Sequence, residues 1–165
     1  MKQDKSSVLF QGKPLLSYAT NLFDTLGLDF HLSINSSQTQ LKEHYSCIED
    51  AFEAKGPLGG ILSAMKTLGK NLLVIPVDMP HLNQSLLNHL IDAQDTHKMV
   101  RCFQLNERLE PFPSIWRASS AEKLELFIRD GELSLQNCIT QLPHQLIDCD
   151  DSTSFRNMNS PRDLE

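Results

Sequence analysis

The chain has 165 residues, enough for one domain of ordinary size with its own core. Fifteen Lys and Arg against twenty-one Asp and Glu give a net charge of −6, which excludes a protein that coats nucleic acid through a basic face. A small anionic ligand stays possible, because a local site can be positive on an acidic protein. The longest apolar run, Leu72–Val77, is too short to span a bilayer, so no membrane association is expected. No charged-then-apolar signal pattern opens the sequence, and Cys47, Cys102, Cys138 and Cys149 form neither a Cys-x-x-Cys pair nor a zinc spacing. Reduced thiols in the cytoplasm are the expectation.

In chain order, Pro14–Leu26 carries apolar residues at helical spacing, with Gly27 as a stop signal. Asp29–Ile34 reads as a short strand ended by Asn35-Ser36-Ser37, and Cys47-Ile48 as a very short one. Gly56-Pro57 opens a helix to about Leu68, with proline where its missing N–H matters least. Leu72–Val77 predicts a buried strand, of the kind covered on both faces in parallel sheets. A helix over Ser85–Asp95 follows. Strands over Met99–Leu105 and Phe112–Trp116 are joined by a turn at Asn106-Glu107-Arg108. Ala121–Asp130 and Leu135–Leu142 read as helices, Gln145–Ile147 as a last strand, and Ser160-Pro161 as a helix start. Alternating helices and strands imply right-handed crossovers and a three-layer, doubly wound, mostly parallel sheet in one domain. Ligands of such sheets sit beyond the carboxyl ends of the strands.

That rule selects the residues to weigh. Asp78 directly follows the apolar run; it is either a hard magnesium ligand beside phosphates or a turn aspartate ahead of Pro80. The segment Lys55-Gly56-Pro57-Leu58-Gly59-Gly60 precedes a helix, and is either an anion-binding approach or loop punctuation. It is not a Walker loop, since no Gly-Lys-Ser/Thr follows. Asp50 could accept hydrogens from a sugar or base, or be an exposed loop acid. Lys5 could meet a phosphate as a point charge, or stay solvated. The amides of Asn157 and Asn159 suit the edge of a flat heterocycle. The same segment also reads as a helix start, capped by Ser160 with Pro161 next. The six histidines make no metal spacing.

The order of these motifs carries more than any one of them. Asp4-Lys5, Gln11-Gly12-Lys13-Pro14-Leu15-Leu16, Glu49-Asp50, Gly56-Pro57-Leu58-Gly59-Gly60-Ile61, Val77-Asp78-Met79-Pro80 and Asn157-Met158-Asn159-Ser160-Pro161-Arg162-Asp163-Leu164 follow one another. The series resembles the molybdenum cofactor guanylyltransferase family over nearly the whole chain. The resemblance implies a nucleotidyltransferase, Rossmann-like fold, with GTP and molybdopterin as substrates, magnesium as cofactor and pyrophosphate as product. It implies that Asp78 holds the metal, that Lys5 and Asp50 contact the nucleotide, and that Gly56, Pro57 and Leu58 shape its pocket. Ser33 or Asn35 would also face the nucleotide, and Asn157 and Asn159 would line the pterin side. Molybdoenzyme-maturation proteins are implied partners.

One departure stands out. The family opens with a strand and a glycine-rich loop of the form LAGGxSxRMGxDK, whereas Met1-Lys2-Gln3-Asp4-Lys5 matches only its tail. The first strand and the loop are expected to be missing. Two alternatives follow: a molybdopterin cytidylyltransferase on the same fold, and a non-catalytic remnant acting as a binding protein.

Overall fold

The computed structural model describes residues 8–52, 54–93, 95–158 and 163. It opens with a tight hairpin of β1 (Leu9–Phe10) and β2 (Lys13–Pro14), turned at Gln11 and Gly12 with φ of 48° and 77°. Positive φ at both turn residues matches the right-handed twist of the paired strands. Helix α1 (Leu15–Leu26) begins after Pro14 and ends at Gly27, whose left-handed φ of 66° closes the last turn.

Strands β3 (Leu32–Ile34) and β4 (Cys47–Glu49) pair in parallel, joined by 3-10 turns over Ser36–Glu43. Helix α2 (Gly56–Leu68) leads to β5 (Leu72–Val74), and α3 (Gln84–Asp92) follows. Then come β6 (Val100–Leu105), β7 (Arg108–Trp116), α4 (Ala121–Arg129), α5 (Leu135–Thr140) and β8 (His144–Asp148). Four strands form one sheet in the order β5-β7-β6-β8, with β7 antiparallel to β5 and β6, and β6 parallel to β8.

The alternation of β6 shows how the layers form. Successive side chains of a strand point to opposite faces. Cys102 joins the core of Leu58, Leu62, Trp116, Leu124 and Ile139, which binds α2, α4 and α5 to one face. Phe103 joins Leu86, Leu90, Ile147 and Phe155 on the other, where α3 packs. Helices therefore cover both faces. Among the described residues, no helix is long and apolar enough to cross a membrane.

The helix over Gly56–Leu68 falls where expected, and the three-layer α/β architecture holds. Two expectations need correction. The sheet is mixed, because the β6–β7 hairpin brings β7 antiparallel against β5. The run Leu72–Val77 is only half-buried, and its ladder stops at Val74. Its residues line a cleft on one side. The strand ends before Asn35-Ser36-Ser37 as expected, and Asn35 then caps the 3-10 turns, its Oδ1 accepting from the Ser37 N–H at 2.9 Å and the Ser37 hydroxyl at 2.6 Å. The expected helix start at Ser160-Pro161 lies outside the described residues.

Candidate functional site

A cleft of about 1120 Å³ opens between β3 and β5, with α1 and α2 along its walls. Ser33, Asn35, Asp50, Gly56 and Pro57 all line it, so five of the residues singled out in the sequence share one space. They sit at the carboxyl ends of β3 and β4 and at the start of α2. The first N–H groups of a helix have no partner within it, and the helix dipole adds positive character there. The start of α2 thus suits an anion.

Asp50 is held in place by its neighbours. Its Oδ1 accepts the Phe52 N–H at 2.8 Å and lies 3.0 Å from the Ser63 hydroxyl. Ser63 in turn accepts the Ala51 N–H at 2.9 Å and sits 2.8 Å from the Gly59 carbonyl. A buried hydroxyl about two turns into α2 therefore ties the helix to the end of β4. Among the described residues, Oδ2 of Asp50 has no hydrogen-bond partner, leaving an acceptor at the cleft wall. Nothing in the sequence marked Ser63 for this role.

The glycines act inward. A Cβ on Gly59 would lie 2.7 Å from the Phe52 carbonyl oxygen and 3.0 Å from both Asp50 carboxylate oxygens. A Cβ on Gly60 would lie 2.6 Å from the Ser33 Oγ. Both positions let α2 seat tightly on β3 and β4. Leu58 is fully buried in the core and does not line the cleft; its side chain anchors the helix instead.

Asp78 follows the end of β5 and is half-buried. Its backbone carbonyl accepts the Met158 N–H at 2.8 Å, which places exposed Asn157 beside it. A polar clasp secures this docking. The buried Ser154 hydroxyl lies 2.5 Å from Asp151 Oδ2 and 3.2 Å from the His81 carbonyl, and it accepts from Asn83 Nδ2 at 3.0 Å. Hydrogen bonding from Ser154 holds the Asp151 carboxyl below the usual carboxylate range. Asn83 also caps α3 through the Leu86 N–H at 2.9 Å. The His81 ring meets Phe10 edge-on at 5.3 Å, so it packs and does not point to chemistry. The clasp of Asn83, Asp151 and Ser154 escaped the sequence reading, where the three residues pass for ordinary turn formers. Lys5 and Asn159 lie outside the described residues.

Among the described residues, no three His, Cys, Asp or Glu converge as a metal cage. Magnesium does not require one. It is commonly held by one or two carboxylates, with phosphate oxygens and water completing the shell. A single hard carboxylate at Asp78 fits that pattern.

Residues 1–146 match the family model described as the MobA-like NTP transferase domain. The chain belongs to that family. It is therefore a nucleotidyltransferase. The molybdenum cofactor guanylyltransferase of Pseudomonas putida is 28% identical over 170 residues, covering 99% of this chain and 87% of the relative. The solved molybdopterin-guanine dinucleotide biosynthesis protein A of Archaeoglobus fulgidus superposes with a TM-score of 0.83 at 20% identity, over 99% of this chain and 88% of that one. The 2-C-methyl-D-erythritol 4-phosphate cytidylyltransferase of Thermus thermophilus superposes with a TM-score of 0.73 at 14% identity, over 97% and 90%. The last two share the fold, and the fold alone does not select a base.

Proposed function

We propose that the protein transfers GMP from GTP to the terminal phosphate of molybdopterin. An oxygen of that phosphate attacks the α-phosphorus of GTP, the bond from the α-phosphorus to the bridging oxygen breaks, and pyrophosphate leaves. The observation that carries this reading is the convergence of Ser33, Asn35, Asp50, Gly56 and Pro57 on one cleft. The relatives' names supply the choice of substrates.

The chemistry asks for positioning and charge neutralisation, since the attacking phosphate is already anionic and needs no base. Asp50 presents a fixed acceptor for sugar or base hydrogens. Gly56 and Pro57 open α2 toward the cleft, where its unpaired N–H groups favour phosphate. Lys5 adds a point charge for the nucleotide, and Asn157, with Asn159, reads the pterin. Asp78 would hold magnesium, which supplies charge neutralisation on the phosphates.

The test is a side-by-side titration of GTP, CTP and ATP with magnesium, followed by turnover with molybdopterin. GTP is expected to bind at least tenfold more tightly than the others, since a polar site rejects a base that leaves its groups unpaired. A CTP preference would make the protein a cytidylyltransferase, and no binding of any nucleotide would make it a non-catalytic binder.

A further inference from the structure

Strand β8 ends the four-stranded sheet, on the side away from β5 and the cleft. Among the described residues its ladder runs to β6 alone, in parallel and without a register shift. The direction of its backbone groups follows residue by residue. The Pro143 carbonyl accepts from the Met99 N–H at 2.7 Å and the Val100 N–H at 3.3 Å, and the Cys149 N–H donates to the Gln104 carbonyl at 3.0 Å. Pro143 and Cys149 therefore face β6. Backbone groups alternate sides along a strand, so Gln145 and Ile147 face β6 as well. The N–H and C=O of His144, Leu146 and Asp148 point the other way, along the outer edge. Sheet edges are commonly guarded by lysine, proline or a bulge. His144–Asp148 contains neither Lys nor Pro, and its ladder has no bulge.

We propose that β8 docks on itself: it pairs antiparallel with β8 of a second copy about a two-fold axis at Leu146, making one continuous sheet across both copies. The sequence of the edge is self-complementary in that register. A two-fold contact sets each residue against its counterpart across the axis. An axis at Leu146 sets Leu146 against its own copy and His144 against the partner's Asp148, in both directions. All of these residues point outward, so every pair exchanges both N–H···O bonds. An axis at Gln145 would leave Asp148 without such a partner, and one at Ile147 would leave out His144. The same axis puts Pro143 opposite the partner's Cys149, at a pair that carries no ladder bond, so the missing proline N–H costs nothing there. The side chains agree with the backbone. Opposite charges across a strand pair attract and like charges repel. Each exposed Asp148 carboxylate meets an imidazole, which is complementary in its protonated form. The His144 Nδ1 lies 2.9 Å from the Leu142 carbonyl, which engages one ring nitrogen and leaves Nε2 for the partner's carboxylate. A parallel copy in register would instead set aspartate against aspartate.

Sedimentation of the unmodified chain between about 1 and 100 μM should show the mass rise from monomer to dimer, as mass action requires of a small interface. Asp148→Pro removes an N–H that points outward, which an edge strand tolerates, and should stay monomeric over the same range. Cysteine pairing reads the register, and decides it even where the proline variant fails to fold. In a Cys47→Ser, Cys149→Ser background, chains with His144→Cys and chains with Asp148→Cys should cross-link on oxidation when mixed. Directly opposed, bonded residues stand about 5.5 Å apart at Cα, within disulfide reach. Neither chain should cross-link with itself. The proposal is overturned if the unmodified chain stays monomeric throughout, or if a folded Asp148→Pro dimerises as well as its parent. It is equally overturned if the mixture fails to cross-link, or if either single-cysteine chain links to itself as readily as to the other.

Discussion

The Met158 N–H donates to the Asp78 carbonyl at 2.8 Å, joining residues 80 positions apart. This bond brings the Asn157 side of the chain to the end of β5, where the proposed metal ligand stands. The relation separates two roles within Asp78: its backbone docks the late segment, while its carboxylate is the group proposed to hold the metal.

Replacing the carboxylate by its isosteric amide should spare the fold. Asp78→Asn keeps the backbone carbonyl that Met158 needs. It should lower GMP transfer about 100-fold or more, corresponding to about 3 kcal/mol of transition-state stabilisation. Thermal melting should be nearly unchanged. Turnover assays with magnesium and a melting curve check both halves, and near-normal turnover would remove Asp78 from the metal site.

Asn157 is exposed, so truncating its side chain disturbs no packing. Asn157→Ala should weaken use of molybdopterin by up to about tenfold, the worth of about one hydrogen bond. GTP binding should stay as it was. Comparing KM for the pterin with the Kd for GTP decides the matter; equal kinetics toward the pterin would leave Asn157 as helix punctuation.

The two glycines of α2 should respond differently to alanine. Gly59→Ala drives a methyl against the Phe52 carbonyl and the Asp50 carboxylate, which have no free rotation to yield. Overpacking of this kind costs about 1–3 kcal/mol, partly offset by about 1 kcal/mol of helix propensity. A net loss of about 1–2 kcal/mol and weaker nucleotide binding are expected. At Gly60 the obstacle is the Ser33 hydroxyl, which can rotate aside, so Gly60→Ala should be close to neutral. Urea unfolding of both variants distinguishes them.

Alkaline conditions should destabilise the fold through Cys102. Burial pushes its thiol up to about 12, with the Glu110 carboxylate adding to the rise. An unfolded thiol ionises near 8.5. A raised folded value means the stability is fully present below the unfolded value and is lost as pH rises through the folded one. Unfolding free energy should thus fall between about pH 8.5 and 12, by up to about 1.4 kcal/mol per pH unit for this group. Urea midpoints under reducing conditions at a series of pH values test it, and Cys102→Ala should reduce the slope, part of which remains through Cys138, whose thiol burial pushes up to about 11.

Much of this was legible in the sequence where a local rule governs. Gly27 ended α1 as a left-handed cap, and Gly56-Pro57 opened α2, because both depend only on nearby backbone. The cleft residues were also legible, since strand carboxyl ends collect ligands whatever the partners of those strands. The pairing of β5 was not. Its apolar run reads the same whether a neighbour is a strand or a void, and only the return of β7 decides the direction. Ser63 and the clasp on Ser154 were hidden for a similar reason: a serine's value lies in the partners that distant segments bring to it.

The division of the strands into a parallel pair and a four-stranded sheet bears on how the molecule opens. Among the described residues, no ladder bond links β3–β4 to the larger sheet. What joins them is α2, through Ser63 on one side and through Leu58 and Leu62 on the other. Cooperative units tend to follow such contiguous blocks. The β3–β4 block can fray as a unit while the β6–β7 hairpin and its helices stay folded, so the proposed nucleotide rim sits on the half of the protein that breathes first.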